Sequence, residues 1–443
     1  MRSPTRSSIQ LSERLKLFPD STTLQSGSLF IAGHDLASLA ADHGTPLYIY
    51  DRATLNASAN SYTDALSAFY PARSHITYAG KAFLCKAIAA WTQEHDFYID
   101  CTGEGEIAIA EAADVKREHI LVHGVNKSEA DIRSALQHAG TIVIDNLTEL
   151  HRIQLLLANY SAAPPNLWLR LLPGLAVNTH HVSTQTGQHD SKFGMTREEL
   201  VQAAQICKSA NLPLRGIHFH QGSNFRDPEP LIPAIEMALD LAKEIGFSGE
   251  WHFCPGGGWA VAYHEDELPN PSIESYVRGI AESVIEGCQQ RGLQLPHLHL
   301  EPGRSLVARA GVVLYRVGAV KTRGEKTWLL VDGGMADNPR FALYGARYSC
   351  LPVSGSGLES EAWNVSIGGP YCESGDILIE NLLMPEVHER DVIAIPVAGA
   401  YHLSMASNYN GARRPAVLMV EEGKADAILR RETIDDLLRR ELK

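Results

Sequence analysis

The hydrophobic residues between about position 75 and position 302 fall into eight short runs, and stretches with helical spacing separate each run from the next. This alternation is typical of βα units around a parallel sheet. Eight strands with seven intervening helices predict a closed (β/α)8 barrel, whereas an open doubly wound sheet, the alternative, rarely needs so many units before its switch point. The predicted strands are ITYAGK (76–81), FYIDCT (97–102), ILVHG (120–124), TIVID (141–145), LWLRLL (167–172), RGIHFH (215–220), WHFCP (251–255) and HLHLE (297–301).

The stretches between the predicted strands carry helix signals. Ser128–Asp131 and Thr196–Glu199 resemble capping boxes, in which the first and fourth side chains each bond to the other residue's backbone amide. Apolar residues recur at helical spacing between the fourth and fifth predicted strands. They are Leu147, Leu150, Ile153 and Leu157.

The pattern changes from Gly311 onward, where strands and turns replace the alternation of strands and helices. Segments such as GVVLYRVGAV, TWLLVDGG and DVIAIPVAGAY predict a second, all-β domain of the sandwich or barrel type. We therefore predict a barrel domain and a C-terminal β domain, preceded by a flexible N-terminus and a segment that joins the β domain. The corresponding ranges are 51–310, 311–443, 1–20 and 21–50.

Composition limits the class of function. The 443 residues are 44% hydrophobic, which is ample for a large core and for two domains. A net charge of −13 without a basic run argues against nucleic-acid binding and favours a small-molecule substrate. The seven cysteines lack CxxC spacing, so they predict neither disulfides nor zinc but a reducing compartment. No signal peptide or membrane segment is predicted, and we expect a cytoplasmic protein.

Function in a parallel barrel lies at the C-terminal ends of the strands, so polar residues there are candidates. Lys81 closes the first predicted strand behind the small residues Thr77 and Ala79. A lysine desolvated at this position would have a lowered pKa and could form a Schiff base. The alternative is an ordinary lysine that reaches water at the end of a strand.

Two strands direct ionisable side chains into the predicted barrel. His218 and His220 share one face of RGIHFH, and the odd-numbered residues of 297–301 share one face of HLHLE. Glu301 then lies nearest the mouth of the barrel. Because a buried carboxylate is costly unless it is paired, Glu301 needs either a cationic side chain such as Arg304 or a cationic ligand.

Three loops add further candidates. Gly256–Gly258 directly follows the seventh strand, where consecutive backbone amides could hold a phosphate, although a tight turn without a ligand is the alternative. In the C-terminal part, the loop 368–376 contains Cys372 and Glu373, and a polar and aromatic segment spans 399–410. Such loops carry function more often than cores do, but a lone loop cysteine is usually inert.

Nine blocks in their order along the chain give the sequence a family resemblance. They are PLYIYD, YAGKA, TGQHDSKFG, HFHQGS, PGGG, EPGRS, VDGGMADNPRFALYGARY, CESGDIL and GAYHLSMASNYN. The chain resembles the meso-diaminopimelate decarboxylases of lysine biosynthesis, in the alanine-racemase-like class of pyridoxal-phosphate enzymes that includes ornithine decarboxylase. The resemblance implies an N-terminal cofactor-binding barrel, a C-terminal β domain, pyridoxal 5'-phosphate as cofactor, and homodimers whose active sites take residues from both subunits.

The resemblance also implies a role for each matching position. Lys81 is implied to be the Schiff-base lysine, His220 the ring stacked on the cofactor, and Glu301 the partner of the pyridine nitrogen. The other residues implied to bind the cofactor, mostly at its phosphate, are Ser223, Gly256, Gly257, Gly258, Gly303, Arg304 and Tyr401.

The implied substrate contacts come from the second half of the chain. Arg304 and Tyr401 lie near both cofactor and substrate in this family, and Arg340 with Tyr344 is implied to receive a substrate carboxylate. Cys372 and Glu373 are implied to enter the active site from the neighbouring subunit. Cys372 is the implied proton donor after loss of CO2, with Lys81 as the alternative. Glu373 in CESGD resembles the diaminopimelate version of the motif, since the ornithine enzyme has an aspartate there.

Three departures from the usual family text lie beside these contacts: Gln221, Phe341, and Pro255 with Trp259 around the glycines. They leave open a related diamino acid as substrate, such as ornithine, lysine, a D isomer, or a carboxylated polyamine or siderophore precursor. Two other classes also stay open. One is a metal-dependent hydrolase that uses the barrel histidines. The other is a non-catalytic homologue, although no chemical group that the mechanism needs is missing.

Overall fold

The structure is a computed structural model that describes residues 11–158, 160–175, 187–247, 249–354 and 362–442. The chain forms two compact units. The barrel unit comprises Ala59–Ala260 and Pro271–Gly303, and the β unit comprises Met1–Ser58, Val261–Asn270 and Arg304–Lys443. Within the described ranges, no helix is both long and apolar enough to cross a bilayer.

Eight parallel strands close on themselves in the barrel unit, and each strand pairs with its neighbours in chain order. The closed (β/α)8 barrel is therefore confirmed, and the alternative of an open doubly wound sheet is wrong. The strands are Ser74–Ala79, Tyr98–Cys101, Ile120–His123, Thr141–Ile144, Asn166–Arg170, Leu214–His218, His252–Cys254 and His297–Leu300.

An α-helix lies between each pair of consecutive barrel strands, and the helix Arg52–Phe69 precedes the first strand. Both predicted capping boxes are present, so Ser128 and Thr196 each accept a hydrogen bond from the third helical residue. Leu150 and Ile153 are buried, as their helical spacing predicts. The helices are Lys86–Glu94, Glu104–Glu111, Glu129–His138, Leu147–Leu157, Arg197–Ser209, Ile232–Ile245 and Ile273–Arg291, with short 3-10 helices at Gly80–Ala82, Arg117–His119 and Glu229–Leu231.

Aromatic and histidine side chains fill the end of the barrel at which the strands begin. His299 lies at the centre of this layer: its Nε2 is 3.0 Å from Nδ1 of His252, and its ring centroid is 5.2 Å from that of His75. The Trp168 ring stacks on His252 at 5.2 Å. His299 thus faces the interior, as strand alternation predicts, but it packs into this histidine layer, two residues before Glu301 in the chain.

The β unit is built around a mixed nine-stranded sheet, which confirms the predicted β domain. Its central strand Gly311–Arg323 pairs with Leu47–Asp51, whose five residues are all buried. The segment before the barrel therefore supplies a core strand of this sheet. The remaining strands are Lys326–Val331, Leu351–Pro352, Ala362–Gly368, Ile377–Pro385, Val392–Ile395, Ala416–Glu421 and Lys424–Leu429, and a separate small sheet contains Thr23–Gln25, Ser28–Ile31 and His34–Asp35.

Short helices complete the β unit. The segment 1–20 was expected to be flexible; residues 1–10 lie outside the described residues, but Leu11–Leu15 is helical and Leu17 and Phe18 are buried. Apolar packing thus begins earlier in the chain than expected. The other helices are Leu36–His43, Arg304–Val307, Arg340–Tyr344 and Ile434–Leu438, with 3-10 helices at Glu265–Glu267, Leu403–Met405 and Tyr409–Gly411.

Candidate active site

Ionisable side chains gather where the barrel strands end. Each stands at the end of a different strand or directly after it, and their charges act on one another. Because parallel strands end at one mouth of a barrel, six sequence-distant segments meet there. The residues are Lys81, Asp100, His123, Arg170, His218 and Glu301.

Glu301 is the central acid of this group and is only 6% exposed. Its Oε2 lies 3.0 Å from Nε2 of His218, while its Oε1 is buried without a hydrogen-bond partner among the residues that the structure describes. Burial opposes the negative charge, but His218 and Lys81 outweigh it and lower the pKa of Glu301 to about 2. The carboxylate is therefore ionised at neutral pH and keeps one oxygen available for a cationic or N–H ligand.

His218 is the donor that orients Glu301. Burial lowers the pKa of His218, and Arg170 and Lys81 add to the shift although Glu301 opposes it. The ring is therefore neutral, and its Nε2–H donates to Glu301 while Nδ1 has no partner within the described ranges. One neutral imidazole thus determines which oxygen of the carboxylate remains unpaired.

A buried cation stands behind this pair. The Arg170 guanidinium contacts Nε2 of His123, and its NH1 is 3.6 Å from Oδ1 of Asp145. The His123 ring is 4.5 Å from the ring of His218. His123, His218 and Glu301 each offer a ligand atom within 4.8 Å of the other two, a spacing that suits a metal ion. The adjacent guanidinium repels a metal cation, however, so the geometry speaks against the metal-hydrolase alternative.

His220 and the glycine loop lie beside Glu301. The N–H of Gly257 lies 3.3 Å from Nδ1 of His220, which fixes the plane of the half-buried ring. Burial, with Lys81 and Arg170, lowers the pKa of His220 well below its usual value, so the ring is neutral. A Cβ at Gly257 would lie 1.9 Å from the carbonyl oxygen of Glu301, and Gly258 has a φ of +108°. Only glycine allows the loop to approach the strand end this closely.

Lys81 lies outside the first barrel strand, which the sequence predicted it to end. The first barrel strand ends at Ala79, and Lys81 lies in the 3-10 turn Gly80–Ala82 that follows it. Its side chain is exposed, so the expectation of an amine desolvated by the chain itself is wrong. The turn carries the amine beyond the last residue of the strand. Its positive charge still acts on Asp100, Glu301 and His220.

Two further residues that the resemblance implies for cofactor binding, Ser223 and Gly303, follow barrel strands. Ser223 is half-buried and follows His220 in the segment after the sixth strand. Gly303 packs against the first strand, since a Cβ there would lie 3.1 Å from the Cβ of Ala79. Both therefore stand in segments that directly follow barrel strands.

In the β unit, Arg304 and Tyr401 are brought together as the resemblance implies. The Arg304 guanidinium lies 4.8 Å from the ring centroid of Tyr401, and its NH1 donates to the hydroxyl of Tyr263 at 2.5 Å. Burial opposes the phenolate, but Arg304 and Arg340 outweigh it and lower the pKa of Tyr263. Tyr401 has a φ of +60°, a rare conformation for a non-glycine residue.

Arg340 and Tyr344 begin and end one short helix but differ in environment. Arg340 is 5% exposed, donates from NH1 to the hydroxyl of Tyr348 at 2.7 Å, and lies 4.4 Å from the ring centroid of Tyr263. Among the described residues, no carboxylate forms an ion pair with Arg340. The contacts of this buried guanidinium are thus with tyrosine side chains, and its charge has no carboxylate counterpart within the described ranges. Tyr344 is half-buried.

Cys372 and Glu373 lie together in an exposed loop of the β unit. The backbone N–H of Cys372 donates to Oδ1 of Asn410 at 3.0 Å, and Oε1 of Glu373 accepts from the N–H of Gly375 at 3.2 Å. These bonds hold the loop in shape while both side chains face outward. The loop is therefore accessible to another molecule.

The sequence reading missed several polar residues at the mouth of the barrel. Asp100, His123 and Arg170 each stand within or at the end of a strand that was predicted correctly. All three share the inward-facing parity of their strands, so inspecting every inward-facing polar residue near a strand end would have found them. Tyr263 and Tyr348 had no such signal, because their role depends on the tertiary packing around Arg340.

Known sequences similar to this chain are pyridoxal-dependent decarboxylases. Residues 52–308 match the family model described as pyridoxal-dependent decarboxylase, pyridoxal binding domain. The chain is 39% identical over 431 residues to a diaminopimelate decarboxylase of Bacillus subtilis, covering 94% of this chain and 96% of the relative. It is 36% identical over 434 residues to a diaminopimelate decarboxylase of Actinosynnema pretiosum, covering 96% and 95%.

Solved structures similar to this chain include diaminopimelate decarboxylases. The crystal structure of diaminopimelate decarboxylase from M. jannaschii in complex with L-lysine aligns with a TM-score of 0.89 and 28% identity, covering 96% of this chain and 98% of that one. The Helicobacter pylori enzyme complexed with L-lysine aligns with a TM-score of 0.83 and 30% identity, covering 91% and 98%.

Proposed function

Because this chain belongs to the diaminopimelate decarboxylase family of pyridoxal-dependent decarboxylases, we propose that it converts meso-2,6-diaminopimelate to L-lysine and CO2. Its general chemistry follows from family membership: it is an enzyme that uses pyridoxal phosphate to decarboxylate an amino acid. The finer assignment of substrate rests on the named activity of its relatives and on the charged groups of this chain.

The residues present fit the cofactor. The unpaired Oε1 of Glu301 is a ready acceptor for the N–H of a protonated pyridine ring. The glycine loop would admit no side chain, since a Cβ at Gly256 would lie 2.7 Å from Nδ1 of His220. We assign Lys81 to hold the cofactor covalently through its amine, and His220 to lie against the ring. Ser223, the glycines 256–258, Gly303, Arg304 and Tyr401 are assigned to the rest of the cofactor, chiefly its phosphate.

Glu301 is the residue on which the chemistry depends most. When bound, the cofactor delocalises the electrons left on the α-carbon after CO2 departs, most effectively when its pyridine nitrogen is protonated. An ionised Glu301 holds that proton at the nitrogen. His218 keeps the carboxylate in one orientation, so no reorganisation is needed during the reaction.

The substrate assignment rests on charge complementarity. A diaminopimelate molecule carries two carboxylates and two amines, and Arg340 offers a buried guanidinium that suits the carboxylate that remains. Tyr344 is assigned to the same carboxylate, and Arg304 and Tyr401 border both substrate and cofactor. Glu373 is assigned to the distal amine, and Cys372 to the return of a proton to the α-carbon. A diamine precursor without a second carboxylate, such as ornithine, would leave Arg340 unpaired.

The assembly assignment concerns the exposed loop. We propose a cytoplasmic homodimer in which Cys372 and Glu373 enter the active site of the neighbouring subunit. Their exposed side chains support this arrangement, because side chains on the surface are accessible to a second subunit. The absence of CxxC spacing among the cysteines fits a reducing compartment.

The ionised, half-paired carboxylate of Glu301 is the observation that carries the proposal. The test is CO2 release by the purified holoenzyme from meso-diaminopimelate, compared with L-lysine, L-ornithine and their D isomers. We expect release from meso-diaminopimelate to exceed release from each of the others. Faster turnover of a diamino acid with one carboxylate would replace the substrate assignment and would implicate the pocket departures at Gln221 and Trp259.

A further inference from the structure

A chain of buried hydrogen bonds runs through the β unit behind Arg340. The hydroxyl of Tyr348 lies 2.7 Å from NH1 of Arg340 and 2.8 Å from Nε2 of His402. On the other side of the ring, Nδ1 of His402 is 3.3 Å from the hydroxyl of Tyr48, which is 3.1 Å from Oδ2 of Asp337. All five side chains are at most 5% exposed.

The directions of these hydrogen bonds follow from the arginine at one end and the carboxylate at the other, and the Tyr48 hydroxyl can donate to either the backbone oxygen or Oδ2 of Asp337, each 3.1 Å away. Arginine can only donate, so the hydroxyl of Tyr348 accepts from Arg340 and directs its own proton to Nε2 of His402. Burial lowers the pKa of His402 well below its usual value, and Arg340 adds to the shift, so the ring is neutral. Its remaining proton is then on Nδ1 and points to the hydroxyl of Tyr48.

Asp337 ends the chain as its acceptor. Burial raises the pKa of Asp337 to about 6, against the hydrogen bonds of Tyr315 and Gly334, so the carboxylate is ionised at neutral pH. Tyr315 donates to its Oδ2 at 2.5 Å, and the N–H of Gly334 donates to Oδ1 at 3.0 Å. The chain thus joins a buried cation to a buried anion through aligned dipoles, an arrangement in which each bond strengthens the next.

We propose that His402 is a positioning residue: through Tyr348 it holds the guanidinium of Arg340 in the orientation that receives a carboxylate of the substrate. This inference rests on the proposed function, which assigns Arg340 to that carboxylate. The interactions around Arg340 support it. With tyrosines as its partners and no ion-paired carboxylate within the described ranges, Arg340 keeps its charge for a ligand while Tyr348 restricts its motion.

The chain also explains why a histidine suits position 402. The side chain must accept a hydrogen bond from Tyr348 and donate one to Tyr48 in a buried space. A neutral imidazole does both at once, and a glutamine can do the same with its carbonyl oxygen and amide. Leucine fills a similar volume and can do neither.

The test uses variants that remove hydrogen bonds of this network at different distances from Arg340. Tyr348→Phe removes the hydroxyl that contacts Arg340. Tyr48→Phe and His402→Leu instead remove hydrogen bonds further along the network and leave every direct contact of Arg340 in place. His402→Gln preserves both hydrogen bonds. Tyr70→Phe is the matched control, because it removes a buried hydroxyl that donates to a backbone carbonyl at 2.7 Å in the barrel unit.

The readout is the affinity of each holoenzyme for L-lysine and for 1,5-diaminopentane, which is lysine without its carboxylate. Binding is followed by the visible absorption of the bound cofactor and requires no turnover. We expect Tyr348→Phe and His402→Leu to weaken lysine binding about tenfold and Tyr48→Phe about threefold, as for hydrogen bonds that orient a charged group. Diamine binding should not change, and His402→Gln should resemble the wild type. With meso-diaminopimelate, KM should rise at constant kcat.

The outcomes separate this inference from the proposed function. Equal losses of lysine and diamine affinity would show a structural role only and overturn the inference, as would Tyr48→Phe and His402→Leu variants that behave like Tyr70→Phe. The Tyr48→Phe and His402→Gln variants keep the test decisive if Tyr348→Phe fails to fold. A third outcome is that the variants lose affinity for lysine alone while the wild-type enzyme releases no CO2 from meso-diaminopimelate. That result would contradict the proposed function but support the positioning role of His402.

Discussion

Glu301 is a buried carboxylate, and its hydrogen bond to His218 favours the ionised form. The carboxylate is ionised, Oε2 is paired with His218, and Oε1 has no hydrogen-bond partner among the described residues. Replacing His218 removes the strongest neighbour that favours ionisation. The consequence should be visible as a change in the proton affinity of Glu301.

We expect His218→Leu to raise the pKa of Glu301, so that the acid limb of kcat/KM moves to higher pH. Loss of a hydrogen bond to a charged group should also slow decarboxylation by about tenfold or more. His218→Gln, which can still donate, should restore most of both properties. The pH titration of cofactor absorbance measures the first effect independently of turnover. Identical titrations of His218→Leu and the wild type would remove His218 from this role.

The same residues show what a sequence reveals at this scale. Glu301 was predictable because inward parity and a position at a strand end can both be read along the chain. The exposure of Lys81 was not, because it depends on the strand ending at Ala79, before the turn Gly80–Ala82 begins. The partners of Arg340 were not predictable either, since Tyr263 and Tyr348 are brought to it only by tertiary packing.

At the scale of elements, the glycine loop after the seventh barrel strand is held against the end of the eighth. Gly257→Ala would place a methyl group 1.9 Å from the carbonyl oxygen of Glu301, which the backbone cannot accommodate without moving. We expect this variant to lose cofactor, measured as visible absorbance per subunit. Gly105→Ala is the control, because a Cβ there meets nothing within 4 Å. Full cofactor content in Gly257→Ala would contradict the assignment of this loop.

The histidine layer at the opposite end of the barrel predicts a pH dependence of stability. Burial lowers the pKa values of His75 and His299 and, with help from His297, lowers the pKa of His252 to about 3. The unfolded chain binds protons below about pH 6.5 that these buried rings do not. The free energy of unfolding should therefore fall as pH falls from about 6.5 toward 3.

Urea unfolding at pH 7 and pH 5 measures this effect. His252→Gln should lose about 2 kcal/mol less stability than the wild type between the two pH values, because one buried imidazole is gone. His151→Gln, at an exposed helix position, should keep the wild-type dependence. If His252→Gln showed the same loss as the wild type, the layer would not be the source of the acid sensitivity.

At the scale of the whole molecule, the sequence predicted the barrel and the β domain because both patterns extend over many elements. The segment Val261–Asn270 escaped prediction: it lies between barrel elements in the chain but belongs to the β unit. No periodicity marks such an excursion, since it follows from packing rather than from local spacing. The family resemblance in turn implied an assembly, which a single chain does not test.

Subunit mixing tests the shared active site. Lys81→Ala and Cys372→Ala should each be nearly inactive alone, but a mixed dimer contains one site with both native side chains. A statistical mixture of the two variants should therefore regain about one quarter of the wild-type activity, as expected for a two-fold symmetric dimer. Activity no higher than that of the separate variants would show that Cys372 acts within its own subunit or not at all.

The amine of Lys81 is assigned to carry the cofactor at the mouth of the barrel, and every other cofactor contact depends on this attachment. Borohydride reduction of the holoenzyme, followed by proteolysis and mass spectrometry, locates the modified lysine directly. We expect a pyridoxyl group on the peptide that contains Lys81 and no stable modification in Lys81→Ala. A pyridoxyl group on another lysine, with Lys81 unmodified, would contradict it.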